Sequence, residues 1–262
     1  RRGMQPRRQS IPIILLLRTA FQILWQQRDD ALRLGLVPTL MTFGGFIYAG
    51  SALDAFLTTM ESGGMQGPPP ADAPRVMVLS VIVVLAICLT TANWLRFLLL
   101  GPMGAVGIGL GIGRPHFRFL ASTVALGFVM MVALMVCGLV LSMMPPALAL
   151  LGNFAAFAAI MLALTRFVPF LVGQAIGQHM TLAQSWNVSR GNVMAIALSL
   201  VLAQLPFIIG LTVLQQILNL VGFSAVAPAG TLFIASVVQV ADWICQAGIL
   251  AAAYRHMVGV RV

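Results

Sequence analysis

Six long apolar stretches, separated by short polar connections, dominate the pattern of hydrophobic and polar positions. They cover residues 34–58, 76–100, 118–143, 147–172, 192–219 and 228–254. Each stretch is long enough to cross the hydrocarbon layer of about 30 Å as a helix. Helices satisfy their own backbone hydrogen bonds, which the lipid interior requires. The pattern therefore predicts an all-α transmembrane bundle of about six spans, forming one membrane domain over residues 34–262.

The first 33 residues have a different pattern from the rest of the chain. Residues 10–29 are predicted to form an amphipathic helix, with Ser10 and Pro12 suited to its first turn. Polar residues recur at helical spacing on one side: Arg18, Gln22, Gln26, Asp29 and Arg33. We expect this helix to lie in the cytoplasmic membrane interface. Packing on the cytoplasmic ends of the bundle is the alternative, and the two are compatible.

Composition and charge placement give the class of protein and its orientation. The chain is 60% hydrophobic and 8% charged, against about 25% charged residues in an ordinary soluble domain. Its net charge of +9 comes from scattered arginines, so we expect no nucleic-acid partner. Basic residues fall in alternate connections, whereas residues 60–74 contain Glu61 and Asp72 and no basic residue. Both termini are therefore predicted to be cytoplasmic.

A glycine-rich run at residues 97–113 blurs the end of the second span, because no charge follows Arg96 until Arg114. It is expected to be a bent helix end or a re-entrant segment, and non-helical backbone at that depth must be shielded by protein. Nucleotide binding is not predicted, because no strand-turn-helix unit surrounds the Gly-x-Gly repeat.

The sequence contains no recognisable catalytic or metal-binding constellation, so we expect no enzyme, metal or cofactor. Cysteines within apolar runs are predicted to be small buried residues: Cys88, Cys137 and Cys245. Histidines are predicted near the cytoplasmic side at three positions: His116, His179 and His256. Their convergence would make a ligand site, but interfacial polar residues are the favoured interpretation.

Asp242 is the single carboxylate predicted near a membrane midplane. An ionisable group at that depth is costly and should face the bundle interior. Gln239 and Gln246, at i−3 and i+4, extend a polar stripe on the same helix. A proton or solute site is one interpretation; the favoured one is an interhelical hydrogen bond that fixes packing.

Two arginines, Arg96 and Arg166, lie near the inner ends of the second and fourth spans, and each is followed by Phe. Such side chains usually extend to lipid phosphates, and an inward role beside a carboxylate or anionic ligand is the alternative. The shared Arg-Phe context is compatible with an internal duplication of three-span halves.

One segment, LTRFVPFLVGQAIGQHMTLAQSWNVSRGN at residues 164–192, resembles a segment common in uncharacterised bacterial inner-membrane proteins related to the membrane domain of glycerophosphodiester phosphodiesterases. The positions that carry the resemblance are Ser185, Trp186, Arg190, Gly191 and Asn192, together with Trp94 and Arg96 in NWLRFLLLG. It covers about a fifth of the chain and implies architecture. These 262 residues are not expected to include the soluble phosphodiesterase domain, so the resemblance implies no catalytic residue here. Residues 174–190 are expected to form a second interfacial helix, with Trp186 as its anchor and Arg190 on phosphate.

These features together predict a non-enzymatic multi-pass protein of the bacterial inner membrane, acting as an accessory subunit, scaffold or lipid-organising component. The expected partners are membrane lipids and either another integral membrane protein or a second copy of the chain. The alternative is a small transporter or channel that uses Asp242. A water-filled cavity at Asp242 would favour transport, whereas its burial against one donor beside a broad apolar flank would favour a subunit.

Overall fold

A computed structural model describes residues 11–61, 73–102 and 113–259 of the chain. Within these ranges the backbone is almost wholly helical and contains no strand. The helices, in chain order, are α1 (Ile13–Gln26), α2 (Arg28–Glu61), α3 (Ala73–Leu100), α4 (Arg114–Leu141), α5 (Pro146–Arg166), α6 (Val168–Ile176), α7 (Leu182–Val188), α8 (Val193–Leu220), α9 (Phe223–Val226) and α10 (Pro228–Val258).

Five of the described helices, α2, α3, α4, α8 and α10, are long and apolar enough to cross a membrane. The pair α5 and α6 makes a sixth candidate, bent by 41° between its two helices. The fold is therefore an all-helical bundle of the transmembrane type, as the sequence predicts. The second, third, fifth and sixth predicted spans match α3, α4, α8 and α10 to within about one helical turn at each end.

Two predicted boundaries are wrong. The first long helix begins at Arg28 rather than at residue 34. The reason is that a turn at Gln27 separates it from the preceding helix, which was predicted to continue to Asp29. The predicted fourth span, 147–172, is two helices that meet at Phe167. Most of the glycine-rich run, residues 103–112, lies outside the described residues.

Helix α1 packs against α10 and α8, with Leu16 and Ala20 buried in the contact. The polar residues predicted to form its outer side are all exposed: Arg18, Gln22, Gln26, Asp29 and Arg33. Asp29 and Arg33, however, belong to α2. A Cβ added at Gly248 of α10 would lie 3.4 Å from the Cβ of Ala20, so the two helices approach closely there. These contacts agree with the alternative of a helix packed on the bundle.

This packing predicts that two cysteines introduced into α1 and α10 form a disulfide. In a protein whose native cysteines are alanine, Ala20→Cys with Gly248→Cys should crosslink on mild oxidation, because the Cβ atoms lie at about disulfide distance. A gel-shift assay with a maleimide reagent measures the bond. Ala20→Cys with Gly44→Cys is the control, since a Cβ at Gly44 meets nothing within 4 Å. Equal yields from the two pairs would contradict the packing.

Helices α3 and α10 form the centre of the bundle, whereas α4 stands at its edge. Twelve of the 31 residues of α10 are buried, whereas Phe119 is the only buried residue of α4. The largest fully buried side chains include Trp94 of α3 and Tyr254 of α10. The α4 and α5 helices contact α3, α6 and α8 and leave most of their surfaces exposed.

One end of the bundle collects most of the arginines in the part of the chain that the structure describes. Helices α3, α5 and α10 end there, and α4 and α8 begin there. We call it the arginine-rich end, after Arg96, Arg114, Arg118, Arg166, Arg190 and Arg255. Contacts between side chains and backbone carbonyls join the helix ends at this level, and they make up the first candidate site.

Candidate functional site

The bend between α5 and α6 is built around the hydroxyl of Ser185. The Ser185 Oγ donates to the carbonyl of Arg166 at 2.8 Å and accepts from the backbone N–H of Phe170 at 3.0 Å. In a continuous helix Phe170 would bond directly to Arg166. Pro169 in addition has no N–H to offer to the preceding turn. The inserted hydroxyl and the proline are therefore the causes of the bend.

Trp186 lies beside this bend and carries the Arg166 guanidinium on its face. The Arg166 Cζ is 4.3 Å from the centre of the indole ring, and the Phe167 ring lies 5.9 Å away. A guanidinium over an indole is attracted by the negative ring face. Arg166 and Trp186, both predicted to contact lipid, are thus brought together. Their stacking holds the charge of Arg166 at the arginine-rich end.

Helix α6 is a buried segment held by polar contacts at its end. Arg96 of α3 donates to the carbonyl of Ala175 at 3.1 Å, and the Tyr254 hydroxyl of α10 donates to the Gln178 Oε1 at 2.7 Å. Gly177, with φ of 79°, ends the helix in the left-handed conformation. Arg96 therefore bonds to a backbone carbonyl of α6, a partner that was not among those predicted for it, namely lipid phosphate, a carboxylate or an anionic ligand.

The predicted interfacial helix over residues 174–190 is wrong as a single helix. Its first residues belong to buried α6, and α7 begins only at Leu182, after a capping box between Thr181 and Gln184. Trp186 and Arg190 are exposed on α7 and just after it. The left-handed turn at Gly177 redirects the chain, which polar spacing alone does not reveal.

Further hydrogen bonds join the ends of the remaining helices. His116 of α4 bonds to the Asn93 Oδ1 of α3 at 2.9 Å, while its Nδ1 accepts from the Gly113 N–H. Arg255 of α10 donates to the Leu98 carbonyl of α3. The Ile11 N–H donates to the Asn192 Oδ1 at 2.9 Å, which attaches the start of the described chain to α8. These contacts tie α4 and α10 to α3, and the chain before α1 to the chain before α8.

The histidines occupy separate positions in the fold. His116 is half-buried in its bond to Asn93, whereas His179 and His256 are exposed. Over the described ranges, no group of three or more His, Cys, Asp or Glu residues is arranged to hold a metal ion. Convergence of the three histidines is therefore not part of this structure.

Asp242 is the second candidate site. It is 7% exposed in α10, and its Oδ2 accepts from the Gln246 Nε2 at 2.8 Å, within the same helix. Its Oδ1 has no hydrogen-bond partner among the described residues. Gln239 takes no part in this bond, so only Asp242 and Gln246 of the predicted polar stripe bond to each other. The interhelical hydrogen bond favoured by the sequence is therefore an intrahelical one.

A cavity of about 200 Å³ lies next to this pair, between α3, α4, α6 and α10. Gln246 lines it together with Thr91 and Thr123, but Asp242 does not. The remaining lining is almost entirely apolar. The carboxylate is therefore buried in protein rather than placed on the wall of this cavity.

Comparison with known proteins provides no family for this chain: no family model, curated protein or solved structure matches it.

Sequence reasoning missed three residues that organise the arginine-rich end. Asn93 and Tyr254 carry buried polar contacts there, and Pro169 helps to bend the fourth span. Two signals were available in the sequence: an Asn inside an apolar run needs a partner, and a Pro inside a helix interrupts the backbone hydrogen bonds of that helix. The partners of Asn93 and Tyr254, however, are 23 and 76 residues away in the sequence.

Proposed function

We propose that this chain is a non-enzymatic multi-span protein of the bacterial inner membrane that acts as an accessory subunit, scaffold or lipid-organising component. Both termini face the cytoplasm in this proposal, with the arginine-rich end on that side. Its partners are membrane lipids and one other integral membrane protein or a second copy of the chain. The observation that carries the proposal is the burial of Asp242 against one donor, beside a bundle with a broad apolar flank.

The environment of Asp242 supports a structural role for its carboxyl group. A transport pathway needs polar groups along a route open to water. Here the carboxylate has one described hydrogen-bond donor, Gln246, and lies off the adjoining cavity. The neighbouring residues Trp243, Ile244 and Cys245 are buried as well.

The flank formed by α4 and α5 supports the choice of a subunit or scaffold. Its exposed residues are large and apolar, among them Phe128, Met135, Leu139, Phe154 and Phe157. No charge interrupts α4 after Arg118, or α5 before Arg166. Within α4, a Cβ added at Gly127 or Gly138 would meet nothing within 4 Å, and small residues with open space beside them let a second helix approach closely in the bilayer.

Site-specific photo-crosslinking in native membranes tests this proposal. A benzophenone amino acid in place of Phe128, which is 61% exposed on α4, should give an adduct with one defined protein, identified by mass spectrometry. The matched control is the same probe at Tyr48, which is 55% exposed on α2 and outside this flank. Adducts with no protein at Phe128, or with the same mixture at both positions, would contradict the proposal.

A small transporter that uses Asp242 is the second candidate, because the Oδ1 of this buried carboxyl has no partner among the described residues. Proteoliposomes with an imposed membrane potential and an internal pH-sensitive dye separate the two functions. We expect the same proton flux for the wild-type chain and for Asp242→Asn. A flux present only in the wild-type chain would favour transport and overturn the subunit proposal.

A further inference from the structure

A second and larger cavity, of about 470 Å³, forms a groove between α2, α10 and the end of α1. Its floor is buried and made partly by small residues, including Ala31 and Gly35. Its rims are exposed leucines, Leu32, Leu36 and Leu40, which open the groove toward the surroundings of the bundle. Its volume lies within the range of about 300–1,000 Å³ that ligand pockets occupy.

The two ends of this groove differ in chemistry. Trp25 and Arg28 stand at one end, with the Arg28 Cζ 5.7 Å from the centre of the indole ring. At the other end Phe233 packs edge-on against Phe43, with ring centres 5.5 Å apart. Between these ends the lining is apolar except for Thr39, whose side chain is buried. The groove thus has a polar mouth, lined by Trp25 and Arg28, and an aromatic wall at its far end.

The mouth lies at the level of the arginine-rich end. Gly45 of α2 approaches Leu79 and Ile82 of the antiparallel helix α3. From Gly45 back to Arg28, and from Ile82 forward to Leu98, the helices each rise about 25 Å. Arg28 is therefore level with the last turn of α3.

The length of the groove fits one leaflet of a membrane. From Arg28 to Leu40, helix α2 rises about 18 Å, close to half of the hydrocarbon thickness of about 30 Å. A helix from another protein would have to continue past the Phe43 and Phe233 pair, whereas an acyl chain can end there. The shape therefore favours a lipid tail over a partner helix.

The charges at the mouth indicate which headgroup fits. The Arg28 Nε lies 3.9 Å from the Asp29 Oδ1, and both side chains are largely exposed. Asp30 and Arg33 follow in the same turns of α2, so the local cluster has two charges of each sign. A headgroup with a phosphate and a primary ammonium complements such a cluster, since guanidinium binds phosphate and carboxylate binds ammonium.

We propose that this groove holds one acyl chain of a phosphatidylethanolamine molecule, with its phosphate at Arg28 and its ammonium group at Asp29. The proposal rests on the membrane placement and lipid contact of the proposed function, but not on any partner subunit. Trp25 and Arg28 stack at the depth of the headgroups, and the tail lies along Gly35 toward Phe233.

Native mass spectrometry of the purified full chain tests the site, with phosphatidylethanolamine and phosphatidylglycerol of identical acyl chains as competing probes. The wild-type chain should retain one phosphatidylethanolamine in preference. Arg28→Gln should lower its retention about tenfold, the size expected for one charge-assisted hydrogen bond. Asp29→Asn should remove the preference between the two headgroups. Ala241→Phe, which fills the groove wall, should abolish retention.

Matched controls keep the result specific. Arg18→Gln removes an exposed arginine of α1 that does not line the groove, and Ala158→Phe adds the same bulk at an exposed position of α5. Both variants should retain lipid as the wild-type chain does. Equal losses in Arg18→Gln and Arg28→Gln, or retention that survives Ala241→Phe, would overturn the proposal. So would a protein adduct from a photo-crosslinker at Leu36 in native membranes. If the photo-crosslinker at Phe128 of α4 captured no protein, only the subunit function would be contradicted, and the lipid site would stand.

Discussion

Replacing Trp94 by alanine is expected to lower the free energy of unfolding by about 3–5 kcal/mol, the usual cost of deleting a large buried aromatic side chain. Trp94 is 1% exposed in α3 and stacks on Phe97, with ring centres 5.2 Å apart. In a bilayer, where apolar burial drives helix association weakly, tight packing contributes much of the stability. The cavity left at the centre of the bundle would therefore be costly. Denaturation by SDS in mixed micelles, followed by circular dichroism, measures the change.

Phe128→Ala is the control for this loss, because it removes an aromatic ring from the exposed flank of α4. We expect its effect in detergent to stay within about 0.5 kcal/mol, as for other surface positions. A loss at Trp94 no larger than the loss at Phe128 would show that the centre of the bundle is not where the structure places it.

Ser185→Ala is expected to destabilise the protein by about 2–4 kcal/mol, measured in the same way. The substitution leaves the Arg166 carbonyl and the Phe170 N–H at the bend without the hydroxyl that now bonds to both. A buried polar group left unsatisfied costs about 1–3 kcal/mol, and Ser185 is fully buried. The Trp186 stack on Arg166 should loosen as well, which a shift in the tryptophan emission would report.

Ser199→Ala provides the matched control, since Ser199 is equally buried but donates only to the Ala195 carbonyl in its own helix. That carbonyl keeps its helical partner, so the expected loss is below about 1 kcal/mol. Equal destabilisation by the two serine substitutions would contradict the bridging role of Ser185.

The sequence by itself determined the helical class and the placement of most long helices. Apolar runs of more than 20 residues permit few structures other than a membrane-type helix, and α3, α4, α8 and α10 lie where those runs predict. The polar side of the first helix was equally legible, because 3.6-residue spacing follows directly from helix geometry. Trp186 and Arg166 were both predicted to contact lipid, but nothing in the sequence indicated that they contact each other.

Only the tertiary structure decided which of these residues meet. Ser185 inserts into a helix that ends 19 residues earlier, and Arg96 reaches a carbonyl 79 residues away. The sequence also could not show that α1 packs against α10 and α8, since an amphipathic pattern suits a helix in the interface and a helix packed on the bundle alike. Local periodicity records which side of a helix is apolar, but not which partner covers it. That partner is set by the packing of all helices together, through contacts between residues distant in the chain.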